Sequence, residues 1–203
     1  MTIHEACQEG DLLAVHQLLA ADPSLAALPM EHDKTPLHIA AEFNHPMIVH
    51  LLLGAGAGLE PLTDWGMTPL DWAATMNSQA AAQVLLDRGA ELRLYSAAGL
   101  GMGERVAGFA GDGLELGRGL YIACRNGHVD VAEALLGRGA DINHRGFFGA
   151  TGLHWAAANG HRETVEFLVA RGADRTLEDT QFQATAQGWA LELGHEDIAA
   201  LLG

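Results

Sequence analysis

The sequence predicts an all-α fold, a solenoid of stacked helix-turn-helix units, and three observations carry that prediction. First, one run of residues recurs. Thr151-Gly152-Leu153-His154-Trp155-Ala156-Ala157 follows by 33 residues the run Leu120-Tyr121-Ile122-Ala123-Cys124, and the same pattern stands earlier as Thr35-Pro36-Leu37-His38-Ile39-Ala40-Ala41 and Thr68-Pro69-Leu70-Asp71-Trp72-Ala73-Ala74. A fixed period of this size marks stacked units, each with an apolar face that only its neighbours can cover. Second, apolar residues behind each copy fall at i, i+3, i+4, as in Val49, Leu52, Leu53 and Val165, Leu168, Val169, which is one buried stripe of a helix. Third, a glycine follows each stripe, at Gly89, Gly139 and Gly172, where a left-handed C-cap favours it.

With the recurring leucine as reference, the register runs Ile3, Leu37, Leu70, Leu94, Leu120, Leu153, Gln187 and predicts seven units, at about 1–33, 34–66, 67–91, 92–117, 118–149, 150–183 and 184–203. The first departs from the pattern as a cap would, with Glu5, Gln8 and Glu9 on its first helix and Asp22-Pro23-Ser24 breaking the chain after its second, since proline cannot continue a helix. The next two are regular and open their first helices with Pro36 and Pro69, well placed in a first turn. The middle is irregular: Leu70 and Leu120 lie 50 residues apart, 17 more than one period. Two readings stand, a truncated fourth unit almost without a connecting finger, and an irregular insertion. Gly99, Gly101, Gly103, Gly108, Gly111, Gly113 and Gly117 fall here, each costing up to ~1 kcal/mol in a helix interior. Ala110 stands where Leu86 and Leu136 stand, so 92–119 is expected to stack most weakly. The last unit ends at Leu201-Leu202-Gly203. Terminal units normally shield a stack. The stripe Ile198, Leu201, Leu202 is therefore expected to be partly exposed, or to meet a second copy of the chain.

The T-P-L-H-x-A run, with Gly-His and Gly-Ala-Asp at fixed offsets, resembles the ankyrin-repeat family over nearly the whole chain. Phe182-Gln183-Ala184-Thr185 leading into Gly188-Trp189-Ala190 resembles a variant of bacterial members. The resemblance implies a single solenoid domain over 1–203, hairpin-like fingers between helix pairs, and a concave groove of fingertips and first helices that binds protein partners.

A net charge of −15 points away from nucleic acid, whose binders cluster Lys and Arg against phosphates, and toward a basic partner or plain solubility. Apolar residues make up 49% of the chain, which excludes disorder; the apolar run near Leu12 to Ala21 is too short to span a membrane, and the start lacks a basic secretory leader. The expectation is a cytoplasmic protein. Cys7 and Cys124 share one small-residue position in units far apart along the chain, so no disulfide is expected between them.

No cofactor, metal or catalytic constellation is expected. The eleven histidines follow the register instead of converging. His4, His38 and His154 follow the reference position; His45, His128, His161 and His195 open second helices; His16 and His50 share an outer position; His32 and His144 fall in fingers. None shows ligand spacing. Gly54-Ala55-Gly56-Ala57-Gly58 and Gly99-Leu100-Gly101-Met102-Gly103 lack the strand-turn-helix context of a dinucleotide loop.

The candidate partner-binding residues are aromatic or large. Trp65, Phe148 and Phe182 fall at fingertips, with Phe147 beside Phe148 and His32 in the equivalent place. Trp72, Trp155 and Trp189 lie on first helices two residues after the reference, with Phe43 and Met76 further round the same face. For the three first-helix tryptophans, packing between units is the favoured reading; for Trp65 and Phe148 partner binding is, because a fingertip offers little core to join. A different class of function, small-molecule binding or catalysis, would need a pocket at 92–119 walled by Trp72, Tyr95, Tyr121 and Trp155.

Overall fold

The computed structural model describes residues 1–203 and contains fourteen α-helices, without strands. The chain divides into two compact units, Met1–Leu92 and Arg93–Gly203. In the first, helices pair in order: α1 (Ile3–Glu9) with α2 (Leu12–Ala21), α3 (Pro36–Glu42) with α4 (Pro46–Gly54), α5 (Pro69–Thr75) with α6 (Gln79–Asp87). In the second the pairs are α7 (Leu94–Gly99) and α8 (Gly103–Val106), α9 (Gly113–Arg125) and α10 (Val129–Gly137), α11 (Gly152–Ala158) and α12 (Arg162–Ala170), α13 (Ala186–Glu192) and α14 (Glu196–Leu202). No helix is long and apolar enough to cross a membrane.

Leucine and isoleucine from the predicted stripes fill the interior of each unit: Leu37, Ile48, Leu52, Leu70 and Leu85 in the first, Leu120, Ile122, Leu135, Leu153, Leu168 and Ile198 in the second, all fully buried. Two ladders of polar contacts lock the pairs in register. In one, the threonine before a first helix and the residue three on cap each other. His38 Nδ1 accepts the Thr35 N–H at 3.1 Å and His154 Nδ1 accepts the Thr151 N–H at 3.1 Å. This fixes the proton on Nε2, which donates to Met67 O at 3.1 Å and Ala184 O at 3.2 Å in the next finger. Both histidines are buried and neutral: burial pushes His38 down to about 4 and lowers His154 as well.

The second ladder explains the Gly-His pairs. His45, His128, His161 and His195 donate through Nε2 to Gln8 O, Gly99 O, Arg125 O and Ala158 O, the carbonyls that end the preceding first helix. Each ring lies against the preceding glycine. At Gly127, φ is +79° and a Cβ would stand 2.9 Å from the His161 ring, so both backbone and space demand glycine there.

The middle is built without a finger and without a break at 117/118. No finger separates α8 from the next pair; α9 starts at Gly113 and runs straight through 117 and 118. Of the glycines counted as costly, Gly117 serves close packing, since a Cβ there would strike the His144 ring at 2.6 Å; Gly119, further along α9, does the same, since its Cβ would meet Leu135 at 3.3 Å and Leu94 and Ala98 at 3.6 Å. Helix α8 is only four residues long, and Arg138 braces it, donating to Val106 O and Phe109 O.

The C-terminal stripe departs from expectation at two of its three residues. Ile198 and Leu202 are buried, because α14 turns them onto α12 and α13, and Leu201 is half-buried. The bare apolar residues are Leu191 and Leu193, at the end of α13. Cys7 and Cys124 are free and buried, and burial pushes both thiols up to about 12.

Candidate functional site

The candidate residues form two clusters, one in each unit. In the first, the finger between α2 and α3 closes through Met30 N–H to Lys34 O at 2.9 Å, and that between α4 and α5 through Thr63 N–H to Met67 O at 3.1 Å. Asp64 N–H donates to His32 O at 3.1 Å and joins the two. Both tips therefore hold fixed positions, and their rings meet at a tilt: His32 lies 4.6 Å from Trp65 at 37°, and Trp65 lies 6.0 Å from Trp72 of α5 at 59°. Trp65 is 46% exposed. Trp72, half-buried on α5, carries a cation of its own chain. Lys34 Nζ sits 4.1 Å above its ring and is held there by an ion pair with Glu42. Phe43 and Met76 end α3 and α5 as exposed apolar caps at the same repeat position.

In the second unit the fingers are short hairpins pinned by single antiparallel bridges, Arg145 to Thr151 and Glu178 to Thr185. Phe148 occupies its tip with φ of 60° and is 53% exposed. Its carbonyl accepts both the N–H (2.7 Å) and the hydroxyl (2.8 Å) of Thr180, while Arg145 Nη1 donates to Gly149 O and Glu178 O at 2.9 and 2.8 Å. The last finger is organised by Asp179, which the sequence analysis passed over. Its buried carboxylate accepts the N–H groups of Gln181 (2.8 Å), Phe182 (2.6 Å) and Ala184 (3.1 Å) and the indole N–H of Trp189 (2.9 Å). Burial alone would raise its pKa, but these four donors outweigh that and hold it at about 2. The signal that could have found it is an aspartate three residues before a fingertip aromatic, the spacing of side-chain-to-backbone turns.

Asp179 thus fixes Phe182 and Trp189 together. Trp189 meets Trp155 edge-on at 5.1 Å and 85°, and Phe182 at 6.3 Å and 72°. With Phe148 these rings enclose an open hollow of about 630 Å³, completed by Gln181, Ala184, Gly188, Glu192 and Leu193. Trp155 carries Arg125 over its ring at 4.0 Å. Phe147 is exposed beside the tip, outside the hollow.

Tyr121, expected to wall a pocket at 92–119, is buried, with the Gly146 backbone so close that a Cβ would come within 2.5 Å of its ring. Burial pushes its phenol up to about 12. Trp155 faces the hollow with Trp189 instead. A second apolar hollow lies on the outer helices α2 and α4, lined by Leu12, Leu13, His16, Met47, His50 and Leu51. No expectation had named it.

The family profile described as ankyrin repeats (3 copies) matches residues 3–95 and 120–203. A human ASB11 ankyrin repeat domain superposes with a TM-score of 0.55 at 29% identity, covering 100% of this chain and 98% of that one. A Caenorhabditis elegans homolog of transient receptor potential cation channel subfamily A member 1 is 32% identical over 149 residues, 66% of this chain and 12% of the channel. Human NF-kappa-B inhibitor alpha is 31% identical over 110 residues, 54% of this chain and 31% of the inhibitor. The chain therefore spans less than a third of these curated relatives.

Proposed function

The chain belongs to the ankyrin-repeat family, and we propose that it is a non-catalytic scaffold that binds a protein partner through its fingertips and the first-helix faces behind them. Ankyrin repeats generally mediate protein–protein interaction, and the inhibitor among the relatives is by its name a protein that acts on another. The observation that carries the reading is the exposure of Trp65, Phe148 and Phe182 at 46%, 53% and 65% on tips whose backbones are hydrogen-bonded in place. An aromatic ring held rigidly in water loses little entropy when a partner covers it, which is why such residues dominate interfaces. Trp72, Trp155, Trp189, Phe43, Met76 and Phe147 then supply the surrounding contact area. The net charge of −15 favours a basic partner through faster, steered encounter.

The test is affinity for the partner recovered by cross-linking in the native host. Trp65→Ala and Phe148→Ala are each expected to cost about 2 kcal/mol of binding, roughly thirtyfold in Kd, with the urea midpoint nearly unmoved. Parent-like affinity in both variants would remove the fingertips from the interface.

A further inference from the structure

Three tryptophans occupy the same place on their first helices, and two of them are already covered by a cation of this chain. Trp72 has Lys34 at 4.1 Å, steadied by Glu42; Trp155 has Arg125 at 4.0 Å. In both cases the residue five after the preceding reference position provides for the cation, as Glu42 in α3 and as Arg125 itself in α9. For Trp189 the corresponding residue, on α11, is Ala158. No lysine or arginine of the chain lies over the Trp189 ring; its surroundings are the hollow, walled by Trp155, Phe182 and Phe148, with the exposed residue Glu192 in the lining.

We propose that this hollow is a subsite for the cationic side chain, lysine or arginine, of a basic protein segment, which completes over Trp189 the contact that Lys34 and Arg125 make over its two siblings. The proposal rests on the scaffold reading above and specifies what that scaffold grips. Indole faces carry negative potential and attract ammonium and guanidinium groups. An aliphatic side chain would fill the same apolar walls but would strip water from Glu192 without replacing its partner. A cation satisfies both. The chain's charge of −15 favours such a partner over a neutral or acidic one.

The experiment pans a display library of random dodecapeptides against the full chain, then measures the enriched peptides by calorimetry. The expected peptides share a lysine or arginine whose replacement by norleucine weakens binding about tenfold, the upper part of the range for a desolvated cation over an indole. Glu192→Gln weakens it about fivefold. Ala158→Arg, which places the chain's own cation where Arg125 stands beside Trp155, abolishes the preference for cationic peptides. Should Ala158→Arg lower the urea midpoint, Glu192→Gln and the norleucine exchange decide. Peptides that bind Phe148 and Phe182 but tolerate norleucine within twofold overturn the cation subsite and leave the scaffold reading standing. A library without enrichment, or peptides indifferent to Phe148→Ala and Phe182→Ala, strikes the scaffold reading of this face itself.

Discussion

Trp72 in the first unit and Trp189 in the second sit on equivalent turns of equivalent helices, yet one is closed and the other open. Lys34 and Glu42 cover Trp72 from within the chain, whereas Trp189 forms the floor of a hollow. The same contrast appears where the first helices end. In the first unit that position holds Phe43 and Met76, exposed to solvent. At the ends of α9 and α11 in the second it holds Asn126 and Asn159, whose amides donate to Gly99 O at 2.7 Å and Arg125 O at 2.9 Å, while Leu193 at the end of α13 stays exposed. The fingers differ likewise: Thr63 accepts one N–H, from Met67 at 3.3 Å, where Asp179 accepts four donors. Two regions with one backbone plan thus spend the same positions differently. The first exposes apolar surface at the ends of α3 and α5 and shields Trp72; the second ties the ends of α9 and α11 to backbone, shields Trp155 and opens Trp189.

The largest expected effect is acid sensitivity through the histidine that both plans share. The His38 pKa lies at about 4 in the folded chain, below the unfolded value near 6.5. The unfolded chain therefore binds more protons between these values, so stability is complete above about pH 6.5 and falls as the pH drops toward 4. The loss is roughly 3 kcal/mol, read as a falling urea midpoint, and His38→Gln should flatten that slope. Asp179 acts lower. Its folded value of about 2 lies under its ordinary 3.8, so its contribution is present above about pH 4 and disappears toward pH 2. The NMR signal of the Trp189 indole N–H should stay in place until below pH 4.

Next in size is the contrast between fingers. Asp179→Ala leaves three backbone N–H groups and an indole without their acceptor, and should lower the local opening free energy by about 2–3 kcal/mol. Hydrogen exchange at Phe182 and Ala184 measures it. Thr63→Ala removes one hydroxyl and should cost about 1 kcal/mol or less. Equal effects would erase the distinction.

A third comparison concerns how arginine at the end of a second helix is used. Arg138 serves two backbone carbonyls of the short α8 segment, whereas Arg171 pairs with exposed Glu133. Arg138→Ala should cost about 2 kcal/mol and speed exchange across 103–111, while Arg171→Ala should stay within about 0.5 kcal/mol. The smallest effect expected is at the first-helix ends: Asn159→Ala about 1 kcal/mol by thermal unfolding, against near zero for Phe43→Ala.

How much of this was legible follows from what each contact depends on. The period, the apolar stripes and the Gly-His pairs are local patterns, and the helices, cores and histidine ladders follow them. The candidate aromatics were legible because a fingertip position is set by distance from the reference residue. Asp179, Arg125 and Lys34 were not picked out, since their importance lies in what they touch 10 to 38 residues away: Asp179 reaches Trp189, Arg125 lies over Trp155, Lys34 over Trp72. Gly117 was legible as a glycine, but the reason for it was not, because a sequence shows the missing Cβ and hides the His144 ring that occupies its place.

The sequence by itself determined the repeat, the helices and which faces are apolar, because a period and a stripe are set by residues within one or two turns of each other. Only the tertiary structure decided which tryptophan is covered, whether a glycine weakens or packs, and which way the last stripe faces. Those outcomes depend on side chains that meet across neighbouring repeats, and their geometry exists only once the helices are stacked.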